Sequence, residues 1–166
     1  MKKQIDKWLG NILVVLMVAM TLDVLWGVLT RYALGSQADW SEELARFLLI
    51  WIGILGAAYA AGQHMHLAID ILLKKFTGRA RIRMILLIHL MVIIFAVAVL
   101  IIGGMRLILL TQLLGQLSAA LRIPMYLVYS VLPIAGVLVL YYKVHDIGLL
   151  IRQKENAPIG ADTGPQ

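Results

Sequence analysis

Cysteine is missing from all 166 residues, which excludes disulfides and thiol chemistry but assigns no compartment. Charge is scarce too: Asp, Glu, Lys and Arg make up 14% of the chain, where a soluble domain carries about a quarter. Polar stretches are short. None of the segments outside the apolar runs approaches the ~50 residues that an independent soluble core needs. A conventional enzyme domain outside a membrane therefore has nowhere to fold. The chain also has no Walker loop, nucleophile elbow or HExxH, so no motif argues for an enzyme.

What fills the chain instead is apolar sequence, 61% of all residues. Four runs stand out, at about 8–30, 44–62, 84–110 and 124–142. A helix needs about 20 residues, at 1.5 Å each, to cross the hydrocarbon of a bilayer. Helices also satisfy every backbone group internally, as lipid demands. The expectation is an all-α integral membrane domain with four transmembrane helices over residues 1–155. The Gly- and Pro-containing stretch 156–166 reads as a flexible tail. The start, MKKQIDKWLG, has the basic character of a secretory signal. Its apolar run outlasts a signal core and ends without an A-x-A-like site, so it reads as an uncleaved first span.

The formal charge of +6 would suit nucleic acid, but the cations are spread over loops beside apolar runs, where they set topology. With the N-terminus inside, Lys2, Lys3, Lys7, Lys74, Lys75, Arg79, Arg81, Arg83, Lys143, Arg152 and Lys154 fall on the inner side. Only Arg31, Arg46, Arg106 and Arg122 fall outside. Eleven against four predicts cytoplasmic termini. Trp8, Tyr141 and Tyr142 then mark the inner interface, and Trp40 and Tyr126 the outer one. Between the second and third runs, His66, Asp70 and Lys74 share one helical face while Leu67, Ile71, Leu72 and Phe76 occupy the other. Residues 64–76 are expected to form an amphipathic helix against the phospholipids of the cytoplasmic leaflet.

Several polar residues invite a function. In DWSEELARFLLIW (39–51), Asp39 has capping spacing to Glu42, and Glu42 and Arg46 form an i, i+4 pair. The competing reading groups Arg31, Trp40, Glu42, Glu43, Arg46 and Arg106 as an outer polar cluster for helix contacts or docking. Asp23 lies 15 residues past Trp8, about 22 Å along a helix, and a charge there must face protein or water. It could couple protons or cations, or pair structurally; Gly27, Thr30 and Arg31 share its face. His64 and His66 are spaced i, i+2 and so do not share a helical face for a metal. His89 and His145 leave a haem-binding anchor open as one alternative. An autonomous four-helix antiporter using Asp23 is another. Small residues below Trp51, in the series Gly53-Ala57-Ala61 and Gly56-Ala60, suit close helix packing, and Pro133 should bend the fourth run.

The segment W-S-E-E-L-A-R-F-L-L-I-W-I-G-I-L-G-A-A (40–58), followed by H-L-A-I-D-I-L (66–72), resembles the small membrane subunit of tripartite ATP-independent periplasmic transporters, the DctQ-like family. Arg31-Tyr32 upstream and four spans extend the resemblance over nearly the whole chain. The departure is Gln63-His64, where a more basic residue would be unsurprising. The resemblance implies a non-catalytic scaffold without a cofactor in the bacterial inner membrane. Its partners would be a large DctM-like permease of elevator type, driven by sodium, and a periplasmic DctP-like binding protein that delivers an organic acid. Sodium and substrate would bind the large subunit. Glu42 and Glu43 would then hold an assembly together.

Overall fold

Every long element is a helix, because each apolar run is long enough to satisfy its own backbone. The computed structural model describes residues 2–36, 38–63 and 78–155. Helix α1 covers Lys2–Leu34 and α2 covers Asp39–Gly62. The third span consists of α3 (Gly78–Phe95), a π-helical stretch Ala96–Gly103 and α4 (Gly104–Leu113). The fourth consists of α5 (Met125–Tyr129) and α6 (Val131–Glu155). Four helical stretches are long and apolar enough to cross a membrane: Lys2–Ala33, Asp39–Gly62, Arg83–Leu113 and Met125–Gly148. The expected amphipathic helix at 64–76, with His66, Asp70 and Lys74, lies outside the described residues, as does the tail 156–166.

The spans are laid out as a row. Among the described residues, α1 packs on α2, α2 on the fourth span and the fourth on the third, and no packing of comparable extent joins α2 to the third span. Burial follows this order. The apolar windows of α1, α2, the fourth and the third spans are 11%, 22%, 33% and 6% buried. Each middle helix packs broadly on two neighbours and each edge helix broadly on one. Leu9, Leu55, Ala58, Ala61, Ala96, Val131, Ala135, Val139 and Tyr142 form the core along the middle of the row.

Local sequence explains the interruptions. Pro133 has no N–H to reach the carbonyl of Tyr129, and the fourth span breaks one turn earlier, at Ser130. The third span widens where it meets the fourth, and the Gly104 N–H reaches back five residues to the Val99 carbonyl. Glycines permit the approach: a Cβ on Gly136 would sit 2.7 Å from Ile101, and one on Gly104 would sit 2.8 Å from Leu132. The small residues of α2 that pack are Ala58, Ala61 and Gly62. This corrects the expected phase. Gly53 and Ala57 are exposed, and a Cβ on Gly53 or Gly56 would meet nothing within 4 Å. Trp51 faces the gap between α1 and the fourth span, lining an apolar groove of about 590 Å³ with Trp8, Leu9, Ile134 and Leu138.

Candidate functional site: polar contacts at the two ends of the row

Polar side chains gather at both ends of the helices. At the loop end, the α1–α2 turn and the third-to-fourth connection lie close together. Gly35 turns the chain at φ 76° and α2 begins behind Ala38, which occupies the N-cap position without a side-chain bond. Asp39 was the expected cap, but it is already the first helical residue. The first turn closes through Ser41 N–H to the Ala38 carbonyl at 3.0 Å instead.

The two adjacent acids have different jobs, because successive helical residues point about 100° apart. Glu42 accepts from Arg46 at 3.0 Å on a surface where both side chains are about two-thirds exposed (67% and 65%). Exposed pairs of this kind contribute little. Glu43 reaches across to the third-to-fourth connection. Its carboxylate accepts from three successive backbone amides, Ala119 at 3.0 Å, Ala120 at 2.9 Å and Leu121 at 2.8 Å. Bonds to an ionised acceptor are roughly twice as strong as neutral ones. The connection is otherwise closed on itself. Ser118 N–H donates to the Ile123 carbonyl at 2.9 Å, Met125 N–H to Gln116 at 3.0 Å, and Ile123 N–H to the Ser118 hydroxyl at 3.2 Å. Gly115 and Arg122 supply the left-handed turns at φ 57° and 55°.

Asp23 lies beneath this rim and is 7% exposed. The Ser41 hydroxyl donates to its Oδ1 at 2.9 Å and lies 3.2 Å from its backbone carbonyl. One buried residue of α2 thus engages both polar groups of one residue of α1. Gly27 and Thr30 share the buried face, and the Thr30 hydroxyl donates to the Gly27 carbonyl at 3.0 Å. Arg31 is exposed.

The expected outer cluster is therefore not one group. Among the described residues, no ion pair joins Arg31 or Arg106 to Glu42 or Glu43, and the two arginines sit on helices at opposite edges of the row. Trp40 is partly exposed beside the rim. His89 is turned onto its own helix, with Nδ1 2.8 Å from the Ile85 carbonyl. His145 lies against Tyr141, with ring centroids 6.3 Å apart. No group of three or more candidate metal ligands occurs among the described residues.

The opposite, terminal end holds a network that sequence reading missed. The Tyr142 hydroxyl donates to Asp6 at 2.6 Å, the Lys143 ammonium to the Ala61 carbonyl at 2.9 Å, and Lys2 to Asp146 at 3.3 Å. Lys2 also lies 5.9 Å from the Tyr142 ring centre. Tyr142, Lys143 and Asp146 are buried, so one face of the run YYKVHD is internal while Val144 stays exposed, and Tyr142 is no interfacial anchor. The available signal was an acid and a lysine three residues apart following an aromatic pair. It is faint, because the same residues suit a solvated helix end.

Comparisons with known proteins place this arrangement. The family model for the DctQ component of tripartite ATP-independent periplasmic transporters matches residues 20–153. The sialic acid TRAP transporter small permease protein SiaQ of Vibrio cholerae is 30% identical over 105 residues, 61% of each chain. A putative TRAP transporter small permease protein of Haemophilus influenzae is 31% identical over 71 residues, 43% of this chain and 44% of that one. The isethionate TRAP transporter permease protein DctMQ of Oleidesulfovibrio alaskensis is 28% identical over 118 residues, 71% of this chain but 18% of that protein. The matches thus span 61% and 44% of the length of the two small permease proteins. With the family match running from residue 20 to 153 and four helices fit to cross a bilayer, the chain is a multi-pass membrane protein that belongs to the DctQ component family of tripartite ATP-independent periplasmic transporters.

Proposed function

We propose that the protein is the small permease subunit of a sodium-driven transporter for an organic acid, and that it acts as scaffold rather than carrier. Its partner is a large DctM-like permease subunit of elevator type, which holds the sodium and the substrate. The loop end takes part in docking a periplasmic substrate-binding protein. The observation that carries this reading is the open row: both edge helices and two broad apolar faces are left for a larger body to cover. Family membership supports it. So does the match inside the isethionate permease protein, where the matching segment is a small part of one longer chain. The relatives' names, sialic acid and isethionate, are organic anions and suggest the substrate class.

The terminal end faces the cytoplasm in this reading, in the inner membrane of a bacterium. Eleven cations against four support that orientation, and the contacts Lys2–Asp146 and Tyr142–Asp6 bring the start of α1 and the end of α6 to one side. The test is reconstitution of the large permease subunit with and without this chain, measuring sodium-dependent uptake. Uptake is expected only with both; full uptake by the large subunit alone would remove the scaffold role.

A further inference from the structure

The third span is the least covered of the four, and it carries a single cation within its apolar length. Arg106 is exposed seven residues before Leu113, so it sits about 10 Å of helix below the loop end. Around it, Ile102, Met105, Leu109, Leu110 and Leu113 are all exposed, an apolar strip on the free edge of the row. Among the described residues no carboxylate meets it. An arginine in hydrocarbon costs at least ~2.5–3.5 kcal/mol unless it reaches water, headgroups or a counter-charge.

Reaching the headgroups at the loop end works against helix geometry. The third span runs antiparallel to the fourth, with Gly104 beside Leu132 and Leu100 beside Gly136, so its N-terminal side lies at the terminal end. In a helix the Cα–Cβ bond tilts towards the helix start. The Cα–Cβ bond of Arg106 therefore starts away from the nearer rim, and the side chain has to turn back to reach it. A second copy of this chain would not supply the counter-charge. Among the described residues the acid at membrane depth is Asp23, which is buried and bonded to Ser41.

We propose that the exposed edge of the third span is the surface on which a transmembrane helix of the large permease subunit docks, and that Arg106 pairs there with a carboxylate on that helix. The inference rests on the scaffold reading and adds to it which edge is used and what chemistry the partner must carry. Neighbouring side chains Met105 and Leu109 would exclude water around the pair, which strengthens it.

The experiment is affinity purification of the tagged chain co-expressed with its large permease subunit in mild detergent, for wild type, Arg106→Glu, Arg106→Lys and Arg31→Glu. Wild type, Arg31→Glu and Arg106→Lys are expected to recover the large subunit. Arg106→Glu should recover less by about tenfold or more, as when one member of a buried charge pair is lost. The isolated Arg106→Glu chain should melt like wild type by tryptophan fluorescence, because among the described residues Arg106 makes no hydrogen bond or ion pair. Recovery should return when one intramembrane acid of the large subunit is changed to lysine in the Arg106→Glu background.

Full recovery with Arg106→Glu would overturn the docking edge while leaving the scaffold reading intact. Failure of the wild-type chain to recover the large subunit would overturn both. Phosphatidylglycerol binding that depends on Arg106 by native mass spectrometry, with subunit recovery unchanged, would assign the arginine to a lipid headgroup and also overturn the proposal.

Discussion

The two ends of the row are closed in different ways. At the terminal end, side chains from α1, α2 and α6 lock directly onto one another: Tyr142 on Asp6, Lys143 on the Ala61 carbonyl, and the Tyr142 ring over Gly62. At the loop end, one carboxylate from α2 holds a stretch of backbone, and among the described residues Asp23–Ser41 is the side-chain hydrogen bond that ties helix to helix. A buried lock fails when one member goes, because the rest are left unsatisfied out of water. A carboxylate holding amides near the surface can be replaced in part by water. The terminal end is thus the rigid one, and the loop end is where a segment can adjust its position when a partner arrives.

The largest test of this contrast is Tyr142→Ala. It empties the most completely buried large side chain and orphans Asp6, and should cost about 3–5 kcal/mol in a reversible unfolding titration. A loss below about 1 kcal/mol would remove the rigid lock. Gly62→Ala comes next. The new Cβ would sit 2.8 Å from three atoms of the Tyr142 ring, and overpacking of this kind costs about 1–3 kcal/mol. The melting temperature should fall, whereas Gly53→Ala, which meets nothing within 4 Å, should not lower it.

The smallest effect belongs to the loop end. Glu43→Gln should leave global stability near wild type, while amide exchange at Ala119, Ala120 and Leu121 accelerates by about tenfold. Glu42→Gln, which loses only the exposed partner of Arg46, should change neither. Equal exchange in both variants would mean that Glu43 does not hold the connection.

Much of the helical content was legible in the chain, and specific contacts were not. The runs at 8–30, 44–62 and 84–110 fall within helices, the run at 124–142 is broken at Ser130, and the helices continue past the runs: α6 ends at Glu155 rather than near Tyr142. That extension makes Lys143, read from the sequence as an inner-side cation, a buried residue together with Asp146. Asp39 had the right spacing for a cap. The cap position, however, depends on where the turn through Gly35 releases the chain, and that point is Ala38. In α2 almost every position from Gly56 to Gly62 is small, so composition could not choose the packing face. The Tyr142 ring chose it, by lying against Gly62.

At the site, sequence spacing paired Glu42 with Arg46 and marked Asp23 as costly, since both follow from local helix geometry and the energetics of lipid. Glu43 and Ser41 required non-local information: their partners lie 76 to 78 and 18 residues away. The division has one physical cause. Backbone groups in a membrane must be satisfied within the segment, so apolar length by itself determined four helices. Which faces meet, which helices take the edges and which acids find donors depend on contacts between distant segments, where packing decides, and only the tertiary structure carries that.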